Sequence, residues 1–77
     1  MKIRCKMRLA EMISHAGYTA KTFVFRPEYD ASIPEDQRFY EATPSGELRI
    51  YVNNPLVIEH YKLGEYYYFD SIPVGEA

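Results

Sequence analysis

Four cations stand at alternate positions near the start of the chain, Lys2, Arg4, Lys6 and Arg8. Between and after them lie Ile3, Cys5, Met7 and Leu9. A period of two belongs to a β-strand with one wet face. On such a strand the four charges form a ladder with steps of about 6.6 Å. That step is close to the phosphate repeat of an extended single strand, so the ladder could bind a nucleotide or single-stranded nucleic acid, with Tyr18 and Tyr51 as stacking platforms. The plainer role of Lys and Arg on an edge strand is to block edge-to-edge pairing. A helical stripe of Cys5, Leu9, Met12, Ile13 and Ala16, closed by Gly17, competes with the strand. In a helix the charges would spread around a cylinder and no ladder would exist. The unbroken alternation over residues 2–9 favours the strand.

The aromatic run Tyr66-Tyr67-Tyr68-Phe69 is the second feature with chemical content. On a strand, Tyr67 and Phe69 share one face, while Tyr66, Tyr68 and Asp70 share the other. One set fills a core. The other set leaves Tyr66 and Tyr68 outside, where with Arg49 and Tyr51 they make a candidate partner-binding surface, because Tyr and Arg are enriched at contact hot spots. The plainer alternative buries both faces, one of them beneath a helix. Glu28, Asp30, Glu35 and Asp36 could mimic a phosphate backbone or hold a cation, but read more simply as a solvated loop. A calcium loop would carry a Gly within a regular Asp/Asn ladder, which this stretch lacks. His15 and His60 have no Ser or Cys nucleophile in an elbow and no phosphate-cradling glycine loop beside them in sequence. No catalytic residue, cofactor or metal site is therefore expected. Cys5, His15 and His60 lie at no zinc-ligand spacing.

These residues need a scaffold. After the first strand, Gly17 marks a turn, and residues 21–26 read as a second strand with Phe23 and Phe25 on one face. Pro27 ends its ladder, and residues 28–37 read as an acidic loop. Residues 38–41 are expected to form a short strand, turning at Thr43-Pro44-Ser45-Gly46 into the returning strand Leu48 to Val52. Asn54 as N-cap and Pro55 at the first position start a helix over residues 56–61, stopped near Gly64. Residues 66–72 form the last strand. About five strands with little helix favour a small five-stranded antiparallel barrel, SH3-like, with one short helix before the last strand. An OB-like barrel, whose helix comes one strand earlier, is the second choice.

Seventy-seven residues make a single domain spanning 1–77, and a chain of this size buries only about 60% of its unfolded surface. Its lone cysteine rules out a disulfide within the chain, so self-association into a homo-oligomer is an expected source of stability. The net charge of −2 conceals two halves: residues 1–26 carry six basic residues against Glu11, net +5, and residues 27–77 carry three against ten acids, net −7. The charged first six residues argue against a signal peptide, and no stretch approaches the roughly 20 apolar residues of a membrane span. A cytoplasmic protein with Cys5 reduced is expected.

One further pattern runs through much of the chain. It comprises Phe25-Arg26-Pro27-Glu28-Tyr29, Phe39, Ala42-Thr43-Pro44-Ser45-Gly46-Glu47-Leu48, Asn54-Pro55 and Gly64-Glu65-Tyr66-Tyr67-Tyr68-Phe69-Asp70. It resembles a family of short bacteriophage-encoded proteins and covers most of residues 21–72. The resemblance implies a non-enzymatic phage accessory protein in the host cytoplasm that binds and inhibits or modulates a host factor, including immune factors. It brings no catalytic residues with it. A small virion component is a further alternative.

Overall fold

A computed structural model describes residues 2–30, 32–36, 38 and 45–76. Four strands and one short helix organise them: β1 (Ile3–Ser14), β2 (Lys21–Pro27), β3 (Leu48–Val52), α1 (Pro55–His60) and β4 (Tyr66–Ser71), followed by a 3-10 turn at Val74–Glu76. All neighbouring strands run antiparallel, in the order β3-β2-β1-β4. That is the Greek-key order, with the last strand returning beside the first. The sheet curls into a half-barrel, so that Leu48 of β3 and Phe69 of β4, from its two edges, line one cleft of about 340 Å³.

The strand expected at the N-terminus is present and longer than the alternation suggested. The competing helix is overturned, for a physical reason. Leu9 pairs with Phe25 and Glu11 with Val24, so Ala10 is an extra residue in a β-bulge. The bulge shifts the phase by one and returns Met12 to the face of Leu9. The spacing of Leu9 and Met12, which imitates a helical stripe, is the signature of that shift.

One face of the sheet is the core. Leu9, Phe23 and Phe25 are fully buried there with Met7 and Val52, while Cys5, Met12, Leu48, Ile50, Tyr67 and Phe69 pack around them. Aromatic edges stitch the two halves together: the Phe25 ring lies 4.8 Å from Phe69 and 5.7 Å from Tyr67. The chain turns from β1 to β2 through Gly17, whose φ of 80° is a left-handed conformation that side chains resist.

The helix begins as its sequence requires. The Asn54 side chain accepts from the Leu56 amide at 3.0 Å, and Pro55 occupies the first turn. It ends one residue earlier than expected, at His60. Tyr61 is extended, which carries its ring to 5.2 Å from both Phe23 and Phe25. Val57 and Ile58 close over the same core from the helix. Gly64, at φ 87°, then turns the chain into β4.

Two expectations meet limits. The strand predicted over residues 38–41 lies largely outside the described residues, and Arg38 itself is helical rather than extended. The first half of the Thr43-Pro44-Ser45-Gly46 turn also lies outside them. Among the described residues the sheet has four strands, and β3 pairs directly with β2. The acidic stretch read as a loop contains a helical turn at residues 34–36 and a nearly buried carboxylate, Asp36, at 2% exposure.

Candidate functional site

The β1–β4 register sets Arg4 opposite Asp70, Lys6 opposite Tyr68 and Arg8 opposite Tyr66, all on the face away from the core. Cross-strand neighbours on one face stand about 5 Å apart, within reach of long side chains. Arg4 grips Asp70 as a fork, Nε to Oδ1 at 2.7 Å and Nη2 to Oδ2 at 3.0 Å. Its guanidinium lies 4.9 Å from the centre of the Tyr68 ring, and the Lys6 ammonium lies 5.1 Å from that of Tyr66. Both distances are those of cation–π contacts. Tyr66 and Tyr68 remain about half exposed, at 49% and 52%.

The described residues of the acidic segment, 28–30 and 32–36, lie across the β1 side of this face. Lys6 Nζ reaches Asp36 Oδ2 at 3.0 Å and Oδ1 at 3.3 Å. Arg8 Nη1 lies 3.6 Å from Glu28 Oε2, and its Nε donates to the Gly64 carbonyl at 3.2 Å. The Tyr66 hydroxyl donates to Glu28 Oε1 at 3.2 Å. The segment shapes itself through its own side chains. Asp30 Oδ1 accepts from the amide and hydroxyl of Ser32, at 2.9 and 2.7 Å, and the Asp30 amide donates to Asp36 Oδ2 at 2.7 Å. Between segment and sheet lies a cleft of about 510 Å³ lined by Lys6, Glu28, Tyr29, Asp30, Ile33 and Tyr66. A smaller hollow of about 130 Å³ adjoins it at Lys6, Tyr66, Tyr67 and Tyr68.

The electrostatics follow from these bonds. The amide of Asp30, and then the Lys6 ammonium, hold the Asp36 carboxyl below its ordinary range despite burial. Hydrogen bonding to Asp36 raises Lys6 in turn. The Arg4 fork lowers Asp70, and the Ser32 hydroxyl, then its amide, lowers Asp30. Burial pushes Tyr29 upward. Arg4, Lys6, Asp30, Asp36 and Asp70 are therefore fixed ions at neutral pH, while Tyr29 stays a neutral phenol, an arrangement suited to recognition and to holding a surface in shape.

The expected site residues divide. The ladder of Arg4, Lys6 and Arg8 is real, with Lys2 exposed just before β1, and each of the three within the strand meets a carboxylate of this chain. Tyr66 and Tyr68 lie together beside it. Arg49 and Tyr51 share the same face but sit on β3, at the opposite edge of the sheet. Three strand spacings, about 14 Å measured along the sheet, separate them from β4. There Arg49 Nη2 approaches Glu47 Oε2 at 3.5 Å, and Glu47 also receives Arg26, which bonds Glu11 at 2.7 Å. The Tyr51 ring lies 5.7 Å from His15, whose Nε2 lies 2.8 Å from Thr22 Oγ1.

Sequence reasoning assigned Glu28, Asp30 and Asp36 to a solvated loop and gave Tyr29 no role. The available signal was the pair of features that fold the segment: Asp30 two residues before Ser32, and Pro34 opening the helical turn that carries Asp36. His60 and Tyr67 build the turn after α1, where the Tyr67 hydroxyl accepts from the Lys62 amide at 2.7 Å and donates to the His60 carbonyl at 3.4 Å. Cys5 sits on the core side, and burial raises its thiol. Among the described residues no group of three His, Cys, Asp or Glu side chains is placed to hold a metal ion, and no helix is long and apolar enough to cross a membrane. No family model, curated protein or solved structure matches the chain.

Proposed function

We propose that this protein is a non-enzymatic binding module that uses the outer face of β1 and β4 to hold a protein partner. The observation that carries this reading is the pair Tyr66 and Tyr68, half exposed and backed by the cations of Lys6 and Arg4. Rigid aromatic rings over fixed charges offer large contact area at low ordering cost, the chemistry of interface hot spots. The cleft of about 510 Å³ beside Tyr66 gives such a partner a place to seat a side chain. Taken with the resemblance to short phage-encoded proteins, the partner is a bacterial host factor, bound in the host cytoplasm and inhibited or redirected by the contact. Arg49 and Tyr51 form a second, separate contact point on β3.

The test is capture from a bacterial lysate on immobilised protein. Wild type and Tyr18→Ala, which alters an exposed tyrosine elsewhere, should retain the same host protein, and the double variant Tyr66→Ala/Tyr68→Ala should lose it. Equal retention by all three would remove the proposal. Phosphate tracking by Lys2, Arg4, Lys6 and Arg8 is the weaker reading, because Asp70, Asp36 and Glu28 already meet three of those four charges. It requires strand binding that weakens steeply with salt.

A further inference from the structure

The two edges of the sheet are not equivalent. The outer edge of β3 carries Arg49 within a chain of charges formed by Glu47, Arg26 and Glu11. Charges of this kind protect a sheet edge from pairing. The span of β4, Tyr66 to Ser71, contains no Lys, Arg or Pro. Its one charge, Asp70, is already neutralised by the Arg4 fork. Four successive aromatics of high β-propensity fill the rest. Among the described residues no strand lies beyond β4. We infer that β4 pairs with β4 of a second copy of this chain, antiparallel about a two-fold axis at Tyr68, joining the four described strands of each copy into one continuous sheet.

The register follows from parity. Opposed residues in an antiparallel pair point to the same face. A two-fold axis midway between Tyr68 and Phe69 would overlap the strands fully, but it would oppose outer-face residues to core-face residues, and it is excluded. An axis through Phe69 opposes Tyr67 to Ser71 and wastes an aromatic contact. An axis through Tyr68 opposes Tyr67 to Phe69 on the core side, an aromatic pair of the kind that stabilises sheets. On the outer side it sets Tyr66 opposite Asp70, a phenol facing a carboxylate, and Tyr68 opposite its own copy. Tyr66 and Tyr68 of both copies then form one continuous outer face. Pairing five residues along an edge buries less than a standard interface of about 1,600 Å², so the association depends on concentration. This inference stands apart from the proposed host partner.

Sedimentation of the full chain tests it first: the expected result is a rising average mass with concentration, and a monomer up to about 1 mM, the weak end of specific association, overturns the inference. Tyr68→Lys and Tyr68→Glu should each be monomeric, because like charges meet at the axis, and their equimolar mixture should form a heterodimer. Undiminished self-association of either variant, or no heterodimer from the two folded variants, overturns the register. A cysteine pair covers the case in which those variants do not fold. In a Cys5→Ala background, Tyr68→Cys brings two Cα atoms to about 5 Å, within disulfide range, whereas Tyr66→Cys leaves them about 14 Å apart. A mild oxidant should therefore cross-link the first and spare the second. Equal cross-linking, or none at Tyr68→Cys, contradicts the two-fold axis.

Discussion

Lys6 Nζ lies 3.0 Å from Asp36 Oδ2, joining the middle of β1 to a carboxylate thirty residues away that is 2% exposed. This contact holds the acidic segment against the sheet and so forms the wall of the cleft beside Tyr66. Asp36→Asn keeps the shape but removes the charge, and Asp36→Ala also removes the acceptor of the Asp30 amide. Hydrogen exchange at the amides of Asp30 and Ile33 should quicken in both variants, more in Asp36→Ala, while β1 and β2 amides keep their protection. Unchanged exchange in the segment would show that other contacts hold it.

Acid should weaken the fold in a defined window. The Arg4 hydrogen bonds hold Asp70 below its ordinary value of 3.8, and the Asp30 amide does the same for Asp36. A carboxylate with a lowered folded pKa contributes stability that is complete above the unfolded value. That contribution is lost as pH falls below 3.8 through the folded values. The urea midpoint should therefore be flat near neutrality and fall below about pH 4. Asp70→Asn should flatten part of that fall. Added salt should shrink the Asp70 contribution, because its pair with Arg4 is about one-third exposed.

The core contact that matters most for folding is Phe25, fully buried and ringed by Tyr61, Tyr67 and Phe69. Phe25→Ala should cost about 3–5 kcal/mol, a large share of the stability of a domain this small. Denaturant titration reads that loss directly. Asn54→Ala, which removes the cap of α1, should cost only about 1 kcal/mol by the same measurement.

The bulge makes an asymmetric prediction about deletions. Removing Ala10 leaves Leu9 and Met12 on the core face, because it takes out the residue by which the register shifts. That variant should unfold cooperatively with its core intact. Removing Arg8 instead turns Ile3, Cys5 and Met7 to the wet face. That variant should show no cooperative transition. Near-ultraviolet circular dichroism separates the two outcomes.

Much of the architecture could be read from local pattern. Alternation located β1, the phenylalanines of β2 and the two faces of β4, and Asn54-Pro55 located the start of α1. The limits of that reading lie in long-range geometry. The phase shift at Ala10 shows only when β1 is set against β2. The burial of Asp36 depends on Lys6, thirty residues away, and the turn signals at Asp30 and Pro34 mark a folded segment without showing which surface it packs against. The split of the expected contact surface has the same origin: Tyr51 and Tyr68 look alike on paper, but the order β3-β2-β1-β4 sends them to opposite edges.

The binding role of the β4 tyrosines is tested most directly by the affinity of a captured host partner for wild type, Tyr18→Ala and Tyr66→Ala/Tyr68→Ala, measured by calorimetry. Truncating a hot-spot residue costs at least about 2 kcal/mol, or roughly 30-fold in affinity. The expected result is a loss of at least that size for the double variant and none for Tyr18→Ala. Equal affinity of all three, with the double variant still folded, would contradict a partner surface at Tyr66 and Tyr68.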